Sequence, residues 1–325
     1  MPIRNRLTKL LDIEHPVLLA PMDLVSGGRL AAAVSQAGGL GLLGGGYGNA
    51  EWIEREWGRA GNARIGCGFI TWSLAKNPEI LQRALAHRPA AVMLSFGDPR
   101  PFGNAIKAAG SKLICQVQTL AHAREAVEAK ADVIVAQGTE AGGHGMSFPL
   151  MAFLPQVVDY VVDACPGIPV VAAGGIADSR GVAAAFALGA EGVMMGTRFY
   201  ASEEAEGHPE AKRRIVAAQG GETVRSTVFD MSRQIRWPEG YTGRLLRNQH
   251  ADRWLGRESE LAEQIDDVAS QYAAARERGD FDMAGVIAGE SAGLIHDIPP
   301  ASDIVERIVA EAQSIKARPA LSSTD

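Results

Sequence analysis

Eight short, near-continuous apolar runs recur between His15 and Tyr200: Val17–Ala20, Leu40–Leu43, Ile65–Ile70, Ala90–Phe96, Leu113–Val117, Asp132–Ala136, Pro169–Ala173 and Gly192–Met195. Most are rich in Val, Ile, Leu, Met and Ala rather than alternating with polar residues, the pattern of parallel strands covered on both faces. The stretches between them have helical spacing and begin beside residues that can cap a first turn. AEWIEREWGRA follows Asn49, PEILQRALAHR follows Asn77, and DSRGVAAAFALGA opens on Asp178. Parallel neighbours need a crossover connection, so this alternation predicts a parallel sheet. Eight such units are the number that closes a (β/α)8 TIM barrel; a doubly wound open sheet is the runner-up.

After Tyr200 the texture changes. Residues 202–281 carry many charges and helical stretches, HPEAKRRIVAAQ and ESELAEQIDDVASQYAAARER among them, with no buried-strand run. This block is expected to be an inserted helical subdomain, a lid over one mouth of a barrel made by residues 1–201 and 282–325. Beyond Pro299 and Pro300, the amphipathic SDIVERIVAEAQSIK is expected to pack back on the barrel wall. A chain of 325 residues thus holds one barrel of ~250 residues and an insert, not two equal domains.

Hydrophobic residues make up 46% of the chain and charged residues 22%, enough apolar material for a large core. The net charge of −6, without a long basic run, argues against nucleic acid or an anionic membrane as partner. Cys67, Cys115 and Cys165 show no CxxC spacing and read as reduced core thiols. The histidines have no metal-ligand spacing such as HExxH, so no metal is expected. The opening MPIRNRLTKLLDIEHP is charged where a signal peptide is apolar, and no run approaches a membrane span; the expected location is cytoplasmic.

Glycine is abundant, 37 of 325 residues, and collects just after the apolar runs. Barrel enzymes carry their chemistry at the carboxyl ends of the strands. Those ends present Ala20-Pro21-Met22-Asp23, Gly44-Gly45-Gly46-Tyr47, Thr71-Trp72, Gln116-Val117-Gln118, the run from Gln137 to Gly145, Gly174-Gly175 and Gly196-Thr197. A phosphate is expected at Gly174, Gly175, Gly196 and Thr197, where the loops after the last two strands meet the helix following Asp178. His144 stands among Gly142, Gly143 and Gly145, which would let a ring approach closely. Its imidazole could take a proton near neutral pH, or merely hydrogen-bond a ligand or loop carbonyl. Gln116 and Gln118 share one side of their strand and could meet a polar ring edge. Tyr47, Trp72, Trp237 and Tyr241 could line a pocket for an apolar substrate, although Trp237 and Tyr241 individually read more simply as packing between insert and barrel. The GxGxxG match from Gly39 to Gly44 lies within an apolar run and after a helix, so it reads as coincidence.

The stretches HPVLLAPM, AAAVSQAGGLGLLGGG, AQGTEAGGHG, VVAAGGIADSRGVAAAFALGAEGVMMGTRF and the late SAGLI resemble the nitronate monooxygenase family, formerly called 2-nitropropane dioxygenases, over most of the chain. The resemblance implies an FMN-binding TIM barrel that oxidises alkyl nitronates or nitroalkanes with O2 to a carbonyl compound and nitrite. It implies FMN contacts from Met22, Gly175, Gly196 and Thr197, with Gln116 and Gly143; Ala20, Asp23 and Gly174 join them as neighbours at the same strand ends. His144 takes the place of the family's catalytic histidine. One departure is Gly66-Cys67-Gly68-Phe69, where an amide that commonly holds the flavin is absent. The barrel and GGH motif also resemble flavin-dependent enoyl reductases and an NADH:quinone reductase subgroup. The alternative is therefore NAD(P)H-dependent reduction of quinones or enoyl thioesters. The segment STVFDMSRQIRWPEGYTGRLLRN looks more like the nitronate enzymes. A small substrate and O2 are the expected partners, with a homodimer as the candidate assembly.

Overall fold

A computed structural model describes residues 4–316. Eight strands make one parallel sheet: β1 (Val17–Leu19), β2 (Leu42–Gly46), β3 (Gly66–Ile70), β4 (Ala91–Ser95), β5 (Lys112–Val117), β6 (Val133–Gln137), β8 (Val170–Ala173) and β9 (Gly192–Met195). A ninth, β7 (Gly143–Gly145), belongs to a separate sheet. The parallel order is β1-β9-β8-β6-β5-β4-β3-β2. Across the remaining seam the Leu19 N–H donates to the Leu40 carbonyl, and the Leu40 N–H to that of Val17. The sheet thus curls into a nearly closed barrel, and each expected run lies on its strand.

Alternation along each strand splits the core in two. Leu18, Leu42, Met93, Ile114, Val135, Val171 and Met194 fill the barrel interior. Leu7 and Leu11 of the helix Arg6–Leu11 join them, closing the end where β9 begins. The alternate residues, such as Leu19, Leu43, Leu94, Cys115 and Ile134, pack outward under the helices. Burial on both faces is the physical reason the runs are continuous rather than alternating.

The caps sharpen the helix starts. Asn49 accepts the Trp52 N–H at 3.0 Å, and Asp178 accepts those of Arg180 and Gly181. Asn77 does not cap as expected: its helix runs Glu79–Ala86 behind Pro78, without a side-chain cap. The last described helix, Ala301–Lys316, packs on the helices Ser179–Ala187 and Gly28–Gln36. Residues 1–3 and 317–325 of the expected barrel segments lie outside the described residues.

Between residues 202 and 281 the expectation of helices alone is corrected. The helices Pro209–Ala217, Glu258–Glu263 and Ile265–Arg278 are present, but so are β10 (Thr223–Ser226) and β11 (Thr242–Leu246). These pair antiparallel, and β11 pairs in turn with β7 from the loop after β6. The strands escape an apolar-run reading because Arg225 and Arg244 interrupt them, and both guanidinium groups reach into that loop. Among the described residues no helix is long and apolar enough to cross a membrane.

Candidate active site

A cavity of about 350 Å³ opens at the carboxyl ends of the strands. Ala20, Pro21, Met22 and Gly68 supply apolar wall, while Ser95 and Gln116 supply polar atoms. The triple glycine that ends β2 explains how the 20–26 loop fits there. A Cβ on Gly44 would collide with the Met22 carbonyl, and one on Gly46, at φ 49°, with the Asp23 carboxylate. Ser26 ties the loop's other end by donating to the Ala20 carbonyl at 2.8 Å. Burial pushes the Asp23 carboxyl above the usual carboxylate range, against the pull of Arg233 and Arg276.

Behind the cavity the amides form a relay. Gln137 Oε1 accepts from Gln116 Nε2 at 3.2 Å and Gln118 Nε2 at 2.9 Å, while Gln137 Nε2 donates to the His144 carbonyl at 3.1 Å. Gln116 still borders the cavity; Gln118 is buried outside its lining, its Oε1 without a partner among the described residues. Gln137 therefore orients the backbone that carries the histidine.

His144 sits in β7 directly opposite Gly243 of β11. Its Nε2 lies 2.8 Å from Asp230 Oδ2, and each side chain is 9% exposed. The Trp237 indole stacks on the imidazole at 3.4 Å between centroids and 8° between planes. Trp237 Nε1 in turn donates to the Tyr47 hydroxyl at 3.0 Å. Burial lowers the His144 pKa; Asp230 opposes this, and Arg233 and Arg225 add to it. Burial thus favours the neutral ring, the form that can accept a proton.

The glycine-rich loop around His144 is gripped from the insert. Arg225 donates to the carbonyls of Thr139, Ala141, Gly145 and Thr242, and Arg244 Nε donates to that of Thr139 at 2.9 Å. Arg244 also pairs with Glu290 at 2.8 Å. Burial pushes the Arg225 pKa down to about 10, which leaves it charged under ordinary conditions.

Of the predicted site residues, Ala20, Met22, Asp23, Gln116, Gly143 and His144 border the cavity. Gly174, Gly175, Gly196 and Thr197 do not; they gather beside it. A Cβ on Gly174, at φ 106°, would press within 3.0 Å of the Ala141 nitrogen, and one on Gly196 would lie 3.5 Å from Met22 Sδ. Thr197 Oγ1 accepts the Gly289 N–H at 2.9 Å. The helix after Asp178 offers fewer N–H groups than expected, because Asp178 already holds those of Arg180 and Gly181. Tyr47 and Trp237 border the cavity whereas Trp72 and Tyr241 do not, so Trp237 is more than packing between insert and barrel. Asp230, Arg225 and Arg244 escaped notice, since one acid or arginine in a charged segment carries no local signature. Cys67 and Cys115 are buried, with burial pushing both thiols up, and Cys165 is likewise unbridged. Among the described residues no cluster of His, Cys, Asp and Glu could hold a metal ion.

The chain is similar to known proteins along most of its length. The nitronate monooxygenase family model matches residues 4–60 and 71–311; the gap contains β3, where the chain reads Gly66-Cys67-Gly68-Phe69. The nitronate monooxygenase of Neurospora crassa is 33% identical over 345 residues, covering 92% of this chain and 90% of that protein. FabK from Thermotoga maritima is similar in structure with a TM-score of 0.85 at 34% identity, covering 97% of each chain. The nitroalkane oxidase of Streptomyces ansochromogenes reaches a TM-score of 0.78 at 28% identity, covering 96% of this chain and 99% of that one. With a family match across most of its length and a barrel of this form, the chain belongs to the nitronate monooxygenase family.

Proposed function

We propose that the protein oxidises alkyl nitronates, and nitroalkanes after deprotonation, with O2 to a carbonyl compound and nitrite, using FMN. The observation that carries this reading is a buried His144, held by Asp230 at 2.8 Å, on the wall of a cavity whose other walls are apolar with a few polar atoms. The residues present fit FMN. Gly68, where a Cβ would collide with Pro21, lets Pro21 pack on β3 at the cavity wall, and Met22, Met93 and Ala20 offer the apolar faces that a flat ring needs. Gln116 and Ser95 supply polar partners for its edge. For the phosphate, the backbone at Gly174, Gly175 and Gly196 is free of side chains, and a Cβ on Gly175 would meet only the Glu140 side chain, at 3.4 Å. FMN held there would supply the one-electron redox chemistry between the nitronate and O2. The chain supplies position and a proton acceptor. With a neutral nitroalkane, the α C–H bond breaks, its electron pair stays on the substrate as the nitronate, and the proton goes to His144. With a preformed nitronate this step is not needed.

The deciding experiment is the visible spectrum of the purified protein, followed by anaerobic mixing with ethyl nitronate and, separately, with NAD(P)H. Bleaching of a yellow protein by the nitronate supports the reading. Bleaching by NAD(P)H alone overturns it in favour of a reductase of quinones or enoyl thioesters, the second reading that the likeness to FabK keeps open. A colourless protein that takes up no FMN overturns both.

Two further outcomes follow from the walls. Gly174→Val places a branched side chain at φ 106° against the Ala141 and Gly138 backbone. It is expected to purify with at least ~10-fold less bound flavin, on the ~1.4 kcal/mol per decade scale of binding, read from the absorbance ratio. Trp237→Ala removes the indole between His144 and Tyr47. Relative kcat/KM should move toward bulkier nitronates by roughly 10-fold, the scale of apolar pocket discrimination, in a competition between nitrooctane and nitroethane anions.

A further inference from the structure

We propose that Asp230 is a positioning residue for His144, so that the working base is assembled only where the insert meets the barrel. The inference rests on the nitroalkane reading for its catalytic consequence. A carboxylate only accepts hydrogen bonds, so its 2.8 Å contact assigns the proton of the neutral ring to Nε2 and leaves the lone pair on Nδ1. Nδ1 has no hydrogen-bond partner among the described residues, which leaves it free for the substrate proton. The hydrogen bond fixes the rotation of the ring, and the stacked Trp237 fixes its plane.

Asp230 comes from the short helix Val228–Ser232 in the insert, 86 residues away from His144. That helix also packs against the neighbouring helices of the insert. Val228 packs with Trp254, Leu261 and Val268, and Ser232 Oγ donates to the Val228 carbonyl and meets His250 Nε2 at 2.8 Å. The charged groups facing the ring are Asp230 and Arg233 from the insert and Arg225 from β10. Asp230 favours the imidazolium, while both arginines oppose it. After His144 takes the α-proton, the imidazolium and Asp230 form a neutral pair in a site where a lone cation would be costly. Each part of this arrangement serves proton removal, whereas simple docking of the insert requires neither a defined tautomer nor a free Nδ1.

The test compares Asp230→Asn, Asp230→Glu, His144→Ala and the double variant Asp230→Asn/His144→Ala, each with nitroethane and with preformed ethyl nitronate across pH. For Asp230→Asn the expected result is a fall of about 100-fold in kcat/KM for nitroethane, the scale of a general base, and less than ~3-fold for the nitronate, which needs no base. The acid limb of the nitroethane profile should move to lower pH, because the group that favours the imidazolium is gone. Asp230→Glu should recover part of the loss, and Asp230→Asn should cost nothing further in the His144→Ala background. Nitrogen-15 NMR of the His144 side chain gives a readout independent of turnover: the proton sits on Nε2 in the wild type, and the ring titrates lower in Asp230→Asn. Equal losses on both substrates with an unmoved acid limb, or an unchanged histidine spectrum, would overturn the proposal. Should Asp230→Asn fail to fold, the wild-type tautomer decides, since a proton on Nδ1 refutes it. A wild type that turns over neither nitro compound sinks the proposed function instead, while the NMR comparison still judges Asp230.

Discussion

His144→Ala is expected to lower kcat/KM for nitroethane by roughly 10²–10⁴-fold, the usual worth of a positioned base, while the flavin stays bound. The reason lies in where the residue sits. His144 borders the cavity on the strand β7, whose pairing with β11 is made by backbone atoms and survives the substitution. The loop is held by Arg225, Arg244 and Gln137, none of which touches the imidazole in doing so. Turnover of preformed nitronate should fall far less, since that substrate arrives deprotonated. The wild-type pH profile carries the same signature. A base must be neutral to work, so kcat/KM for nitroethane rises with pH through the His144 pKa. Burial places that pKa below the ordinary value, and the acid limb should have its midpoint below ~6.5. Steady-state oxygen uptake with both substrates checks these outcomes. Undiminished nitroethane activity in His144→Ala, or an acid limb above that of free imidazole, would remove the histidine from the chemistry.

Arg225→Met is the second large effect, on stability and activity together. The guanidinium satisfies four carbonyls, and those of Thr139, Ala141 and Gly145 belong to the loop that carries His144. Each hydrogen bond from a charged group is worth about 1.5–3 kcal/mol, but the bonds are not additive. The substitution also recovers the cost of burying a cation and relieves repulsion from Arg244. Balancing these, a loss of about 2–4 kcal/mol of unfolding free energy is expected, on the scale of breaking a largely buried charged network. Denaturant titration measures it. The nitroethane activity that remains at low temperature should also fall, because the loop no longer holds the ring over the cavity. Arg257→Ala is the contrast: Arg257, just before the helix Glu258–Glu263, pairs with Glu260 where both side chains are exposed, and little change in midpoint is expected. Equal midpoints for wild type and Arg225→Met would mean that the strand pairing alone holds the loop.

The legible part of the molecule is the part whose signals are local. Each barrel strand is buried on both faces, so its apolar run is continuous and survives without knowledge of its neighbours. Helix starts were legible where an Asn or Asp could cap, as at Asn49 and Asp178, and misread at Asn77, where Pro78 takes the position before the helix. The strands β10 and β11 were invisible because their stabilising contacts are non-local: arginines inside them bond a barrel loop, and that polarity hides the strand pattern. Gln116 and Gln118 do share a side, yet both spend an amide on Gln137.

The same division runs through the site. The sequence alone determined the eightfold βα alternation, the gathering of glycine at the carboxyl ends and the prominence of His144, because periodicity, backbone freedom and side-chain chemistry are properties of short segments. That Asp230, 86 residues away, meets the imidazole, and that Trp237 stacks on it, follows from the folded arrangement alone. Those contacts exist because the register of β7 against β11 brings the segment around β11 against the loop after β6, and the partner of a strand is chosen by the whole fold rather than by the strand.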